Sequence, residues 1–408
     1  MISEEKKFLP DSSSFSLSVF RILAVGAAIC IATVHFTQPF LQVLASAFHL
    51  TKSEVSWVPT MTLLGYACGI FFLIPLGDII SVRKLILIKL SFLAMALLAG
   101  ATAQNFGFLL AMNFITGFCA SSVQDFVPIA AHLAPESKRG QVVGYVLTGM
   151  LLGSLLSRTV AGLITEFSNW RITFFVYGTF VAILVLVGTK LIPKLIPTST
   201  AKPLEVYQAM FRWCLQKPHI LWLAVRHGLM GFCYSSFWVS LAFIMSAAPF
   251  NLSTAAVGYL AVPAVLGAFL GSWFGKKADQ NGPRSNTLVS ASLVLVMSLA
   301  MYCFRSSVIE VIFYGVIVVL AYQISLVTSQ FEILGIDPKA RSQLNAILLT
   351  IQLLFFSAGS YFSVKVFNIS GGDGVALLCL AASSISLIMA FLTGQKNKAG
   401  IQKTKQNG

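Results

Sequence analysis

Two acids and one arginine stand inside stretches of this 408-residue chain that are otherwise apolar: Asp125, Glu332 and Arg158. An ionised side chain facing lipid at mid-bilayer costs at least about 2.5–3.5 kcal/mol, so such residues turn toward a cavity or a partner. A carboxylate there is neutral when dry and charged when wet, which is the chemistry of a proton site. Arg158 has no such escape, because a guanidinium does not lose its proton. It needs an anionic or carbonyl partner. Helical rise places Arg158 roughly 25 Å above Gln141, in the outer third of a hydrocarbon core about 30 Å thick. Gln38 reaches a similar height on the first apolar stretch, beside His35 and next to Pro39, which loosens the helix. Together they make either a polar floor for a small molecule or a packing contact.

The elements that position these residues follow from composition. The chain is 57% hydrophobic and 10% charged, with mean hydropathy +0.83. Soluble domains are nearer about 25% charged. Apolar runs of about 20 residues are membrane spans. Twelve can be drawn, with six in residues 20–193 and six in 219–394. A polar linker with one amphipathic piece, 194–218, separates them, and tails 1–19 and 395–408 flank them. The net charge of +14 sits in short loops, with no soluble basic domain to hold nucleic acid. Of 28 Lys and Arg, 23 sort to one side, Lys89 and Arg226 among them, and four (Lys52, Arg171, Arg305, Lys365) to the other. Arg158 alone lies deep in a span. The positive-inside rule then puts both termini in the cytoplasm. The seven cysteines show no CxxC spacing and read as packing residues. No cleaved signal peptide is read.

The two halves repeat. The second loop of the C-terminal half reads Gly275-Lys-Lys-Ala-Asp279-Gln-Asn-Gly282-Pro-Arg284, and that of the N-terminal half Ile74-Pro-Leu-Gly-Asp78-Ile-Ile-Ser81-Val-Arg83-Lys84. The fourth loops match as well, Pro135-Glu136-Ser-Lys-Arg139 against Pro338-Lys-Ala-Arg341. Six-span repeats of the same orientation are a transporter architecture.

These loops resemble the G-x-x-x-D-x-x-G-R-[RK] signature of the major facilitator superfamily. Trp170-Arg171-x-x-Phe174 resembles it too. Within the superfamily, Gly144, Gly153, Ser157, Arg158, Ala161 and Gly162 resemble the fifth-span signature of drug:proton antiporters, with Arg158 at the proline position. That exchange should leave the fifth helix straighter. Asn113 stands where the fourth-span signature has arginine. The stretches Gln38-Pro39, Pro75 to Asp78 and Arg158 to Val160 resemble a set of bacterial inner-membrane facilitators.

The resemblance implies an all-α membrane fold of twelve helices in two pseudo-symmetric six-helix bundles, with spans one, four, seven and ten lining a cavity. It places Asp125 on a cavity-lining span, as a proton site or as a partner for loop backbone. Glu332, near an inner end, is a second proton-coupling candidate or a gate ion-pair residue. Asp78 and Asp279 would pair with Arg139 or Arg341 to lock the halves. Arg83, Lys84, Gly275, Gly282 and Arg284 complete the loop signature.

Candidate substrate contacts are Arg158, Gln38, His35, Asn113, Phe237 and Trp238. His227, beside Arg226, reads as interfacial. The small residues Gly144, Gly149, Gly153 and Gly162 should let helices approach closely.

The expectation is a proton-coupled secondary transporter of the bacterial inner membrane, a monomer exporting a small organic compound by alternating access. It needs no cofactor or metal and no enzyme chemistry. Its partners are substrate and lipid. The rivals are an importer or exporter of an anionic metabolite held by Arg158, and a non-transporting membrane receptor or scaffold.

Overall fold

The computed structural model describes residues 17–135, 138–192, 203–271, 283–303, 307–337 and 340–406. Among these, eleven helices are long and apolar enough to cross a membrane. They are span 1 (Phe20–Ala47), span 2 (Lys52–Gly77), span 3 (Val82–Ala101), span 4 (Phe106–Leu133), span 5 (Gln141–Phe167), span 6 (Trp170–Lys190), span 7 (Pro218–Ser246), span 8 (Thr254–Gly271), span 9 (Pro283–Cys303), span 10 (Val308–Leu334) and the stretch Arg341–Leu392.

That last stretch has 52 residues. A helix of that length would be about 78 Å long, more than twice the hydrocarbon thickness. It is broken at Gly371, whose φ of 61° and ψ of −150° are open to glycine and strained for other residues. The chain doubles back there. Gly359 lies against the carbonyl of Phe232, while the Cys379 carbonyl is 3.5 Å from Cys233 Sγ. Residues twenty apart in sequence thus flank one level of span 7. The stretch is spans 11 and 12, and the fold is twelve helices in two six-helix bundles.

Local chemistry sets the helix limits. Thr51 and Glu54 form a capping box at the start of span 2. Asn169 caps span 6, accepting from the Ile172 amide at 3.0 Å. Arg171 then donates to the Ala101 and Ala103 carbonyls, at 3.2 and 2.7 Å, and closes the C-terminal end of span 3.

Spans 1 and 4 are not continuous helices. Span 1 ends its first segment at His35 and passes through a 3-10 turn, Gln38–Phe40, before resuming at Leu41. Pro39 supplies no amide donor for an α-helical bond there. Span 4 breaks between Ala120 and Val123, where Ser121 turns its hydroxyl onto the Phe118 carbonyl at 2.8 Å. Span 5 has no such break: one helix runs from Arg139 to Phe167.

The glycines of span 5 divide by role. A Cβ on Gly149 or Gly153 would come within 2.4 Å of the Ala24 carbonyl oxygen or 2.3 Å of that of Ala28, so both let spans 5 and 1 touch. Gly162 meets the Thr254 carbonyl of span 8. Gly144 departs from the expectation: it has nothing within 4 Å and borders a cavity.

Direct hydrogen bonds join the two halves at the end of the bundle that holds residues 52, 167, 254 and 369. Thr60 and Ser360 share a hydrogen bond of 3.0 Å, and Ser357 donates to the Thr60 carbonyl at 3.1 Å. Asn368 donates to Ser53 at 2.7 Å. Thr159 donates to the Gly258 carbonyl at 2.8 Å, and the Ala255 amide donates to Glu166 at 2.6 Å. This is the sealed end. The opposite end holds Arg139 and Arg341 and is here called the basic end.

Of the linker, Pro203–Gln216 is a helix whose Tyr207 hydroxyl donates to the Phe72 carbonyl at 2.7 Å. Arg83 donates to the Thr189 carbonyl, and Lys84, Arg284 and Arg341 are exposed. Gly275, Asp279 and Gly282, and the side chains of Asp78 and Arg139, lie outside the described residues.

Candidate functional site

A cavity of about 580 Å³ lies between the halves, within the range of small-molecule sites. It runs from His35, Ser154 and Tyr234 toward Gly144 and Gln330 at the basic end. Its wall carries tyrosines (Tyr66, Tyr234, Tyr322), glutamines (Gln124, Gln323, Gln330, Gln352) and aliphatic side chains. It carries no Asp, Glu, Lys or Arg among the described residues.

Three wall residues lead to its closed end. Residues three or four apart share a helix face. One turn beyond Ser154 on span 5 is Arg158, one turn beyond Tyr234 on span 7 is Trp238, and one turn beyond His35 on span 1 is Gln38. These three meet. Arg158 Nε donates to Gln38 Oε1 at 2.8 Å, and Nη1 donates to the Ser154 carbonyl. The guanidinium carbon lies 4.5 Å from the Trp238 ring centroid, in cation–π contact. Gln38 Nε2 is 3.5 Å from His35 Nδ1. Arg158 is 3% exposed and its partners are neutral. The two-residue contact with Gln38 was within reach of helix arithmetic; the Trp238 stack and the Ser154 carbonyl were not.

Two other substrate candidates sit elsewhere. Asn113 is sealed between spans 4 and 2. It accepts from the Thr62 hydroxyl at 3.1 Å and donates to the Leu109 carbonyl at 2.8 Å, so its amide is satisfied away from the wall. Phe237 packs on Tyr314, with centroids 4.8 Å apart. Of the six candidates His35 alone lines the cavity; Arg158, Gln38 and Trp238 lie one turn behind its closed end.

Asp125, which is buried, and Glu332, which is part-buried, each have a basic partner inside the bundle. Asp125 pairs with Lys89 of span 3, and both side chains are almost wholly enclosed. Glu332 pairs with Arg226 of span 7. Lys89 and Arg226, sorted by sequence with the inner loops, are therefore corrected to buried residues. Each sits far enough into its helix to turn inward and meet a carboxylate. The bias of the remaining basic residues keeps its sign.

His227 is also corrected. It is fully buried, not interfacial. Its Nδ1 is 2.9 Å from Ser325 Oγ and its Nε2 is 2.9 Å from Gln352 Oε1. Gln352 in turn donates to the Tyr322 hydroxyl at 2.6 Å. In the other half, Gln124 donates to the Tyr66 hydroxyl at 3.0 Å.

A cavity between two helical bundles, with no charged wall residue among the described residues and with hydrogen bonds across the halves at one end, is the architecture of a membrane transporter. The chain belongs to the Major Facilitator Superfamily, whose family model matches residues 23–336. It is 30% identical over 373 residues to the uncharacterized transporter YgaY of Escherichia coli O157:H7, covering 91% of this chain and 94% of that one. It is 24% identical over 285 residues to the inner membrane transport protein YnfM of Escherichia coli K12, covering 68% of this chain and 66% of that one. Among solved structures it is similar to a bacterial homolog of the human lysosomal transporter Spinster in an inward-facing conformation. The TM-score is 0.71 at 15% identity, over 93% of this chain and 96% of that one.

Proposed function

We propose that this chain is a proton-coupled secondary transporter that exports a small organic compound across the bacterial inner membrane, working as a monomer. The observation that carries the coupling is the buried Lys89–Asp125 pair beside the cavity. Asp125 neighbours Gln124, which is on the wall. The titratable groups around the pair are Cys30 of span 1, Tyr66 of span 2 and Cys119 of span 4. Two charges so deeply enclosed each cost several kcal/mol to desolvate, offset by their mutual attraction. A proton added to Asp125 leaves the Lys89 ammonium without its counter-ion. The helices must then shift until water or another acceptor reaches it, so protonation biases one state of the bundle over the other.

The cavity reaches toward the basic end, which the positive-inside rule assigns to the cytoplasm. On the export reading this form takes its cargo from the cytoplasm, and the cross-half hydrogen bonds at the sealed end must break to release it. The Arg226–Glu332 pair, near the basic end of spans 7 and 10, serves as a gate contact or a second proton site.

The test is flux in proteoliposomes under an imposed pH gradient, screened with a panel of small organic compounds. The expected result is accumulation of at least one compound that collapses when a protonophore dissipates the gradient. Accumulation that is indifferent to the gradient would overturn the coupling.

A further inference from the structure

We propose that the cavity binds a small, partly apolar organic carboxylate, its charged end at Arg158 and Trp238 and its remaining oxygen atoms facing Tyr66 and Tyr322. This rests on the transporter reading above and names the class of its cargo.

Two unspent donors lie just behind the closed end of the cavity. Arg158 Nη2 and Trp238 Nε1 are both buried and without a hydrogen-bond partner. The Tyr234 hydroxyl is within hydrogen-bonding reach of the same guanidinium and offers it a neutral acceptor from span 7; the Tyr234 ring is 6.2 Å from that of Trp238. Leaving buried donors unmade costs about 1–3 kcal/mol each, and more when the group is charged. Both side chains follow wall residues by one helical turn, so they lie directly behind the closed end of the cavity, and a guest reaches them by turning Ser154 or Tyr234 aside. Planar bidentate recognition of a carboxylate is what a guanidinium does best.

The walls point the same way. Gln124 spends an amide hydrogen on the Tyr66 oxygen, and Gln352 spends one on the Tyr322 oxygen. A tyrosine oxygen that accepts such a bond has its own O–H left to give. His227 fixes the sense of the second pair: with its Nε2–H donating to Gln352 Oε1, the amide nitrogen faces Tyr322. Both tyrosines line the cavity, one from each half. The wall thus offers directed donors on opposite sides and, among the described residues, no carboxylate. An ammonium guest would meet Arg158 and find no counter-charge. A neutral guest would leave Arg158 as it is. A carboxylate satisfies it, and an apolar or aromatic body fits against Tyr234 and Phe356.

The test uses the full-length protein in detergent and three probes of one shape: 2-naphthoate, 2-naphthamide and 2-naphthylmethylammonium, titrated calorimetrically at low ionic strength. The expected order is naphthoate at least tenfold tighter than the amide, with the ammonium weakest. Arg158→Gln should erase the preference for the acid over the amide. Arg158→Lys, which keeps the charge and the fold, should keep part of it. Tyr322→Phe should leave that preference intact and weaken 6-methoxy-2-naphthoate toward the level of the unsubstituted acid. Equal binding of acid and amide, tighter binding of the ammonium, or no binding of any probe would overturn the proposal. Binding needs neither a gradient nor turnover, so its failure is distinguishable from failure of proton-coupled transport.

Discussion

Two buried cations in the N-terminal half are held in opposite ways. Lys89 is matched by a carboxylate, Asp125, so its site is charge-balanced. Arg158 is held by an amide oxygen, a backbone carbonyl, the neighbouring Tyr234 hydroxyl and an indole face, all neutral, so its site keeps a net positive charge. A balanced pair can be unbalanced by one proton, which suits coupling. An unbalanced cation that cannot deprotonate has to be met from outside the chain, which suits recognition of cargo. On the function proposed above, one helical bundle keeps the proton site and the substrate site apart.

The sharpest way to break this comparison is to remove one member of the balanced pair. Lys89→Ala or Asp125→Ala should each lower stability by about 3–5 kcal/mol, because an uncompensated charge stays buried. The double variant Lys89→Met with Asp125→Leu should recover most of that loss, as read by thermal unfolding in detergent. Single variants as stable as the parent would show that the pair is solvated, and the contrast with Arg158 would disappear. A smaller effect is expected at the unbalanced site. Gln38→Leu removes one hydrogen bond to a charged donor and should cost about 1.5–3 kcal/mol. Trp238→Leu removes a cation–π contact of about 0.5–2 kcal/mol along with some aromatic packing. If Gln38→Leu were silent in the same unfolding assay, the guanidinium would have an acceptor of another kind.

Much of this was legible from residue types alone. Hydropathy and the loop repeats gave the twelve spans, because in lipid a backbone must satisfy itself within helices. Helix rise put Gln38 and Arg158 at one level, and both lie on axes whose length is simple arithmetic. What arithmetic does not give is rotation. Lys89 sits close enough to a loop to pass for a loop charge, and only the packing of span 3 against span 4 turns it onto Asp125. His227 hides for the same reason: its partners, Ser325 and Gln352, come from spans 10 and 11, 98 and 125 residues away. Asn113 and Phe237 show the same blindness to rotation. Each lies on a span that touches the cavity, but on a face turned to a neighbouring helix.

The separation of the two sites is most directly tested by transport in proteoliposomes with Asp125→Asn and Arg158→Lys side by side. The readouts are gradient-driven uptake and gradient-free exchange of the same compound. The account predicts that Asp125→Asn loses gradient dependence while exchange persists. It predicts that Arg158→Lys loses flux in both assays in proportion to its weaker binding, while the residual flux still follows the gradient. Identical behaviour of the two variants, or gradient-driven uptake unchanged in Asp125→Asn, would contradict it.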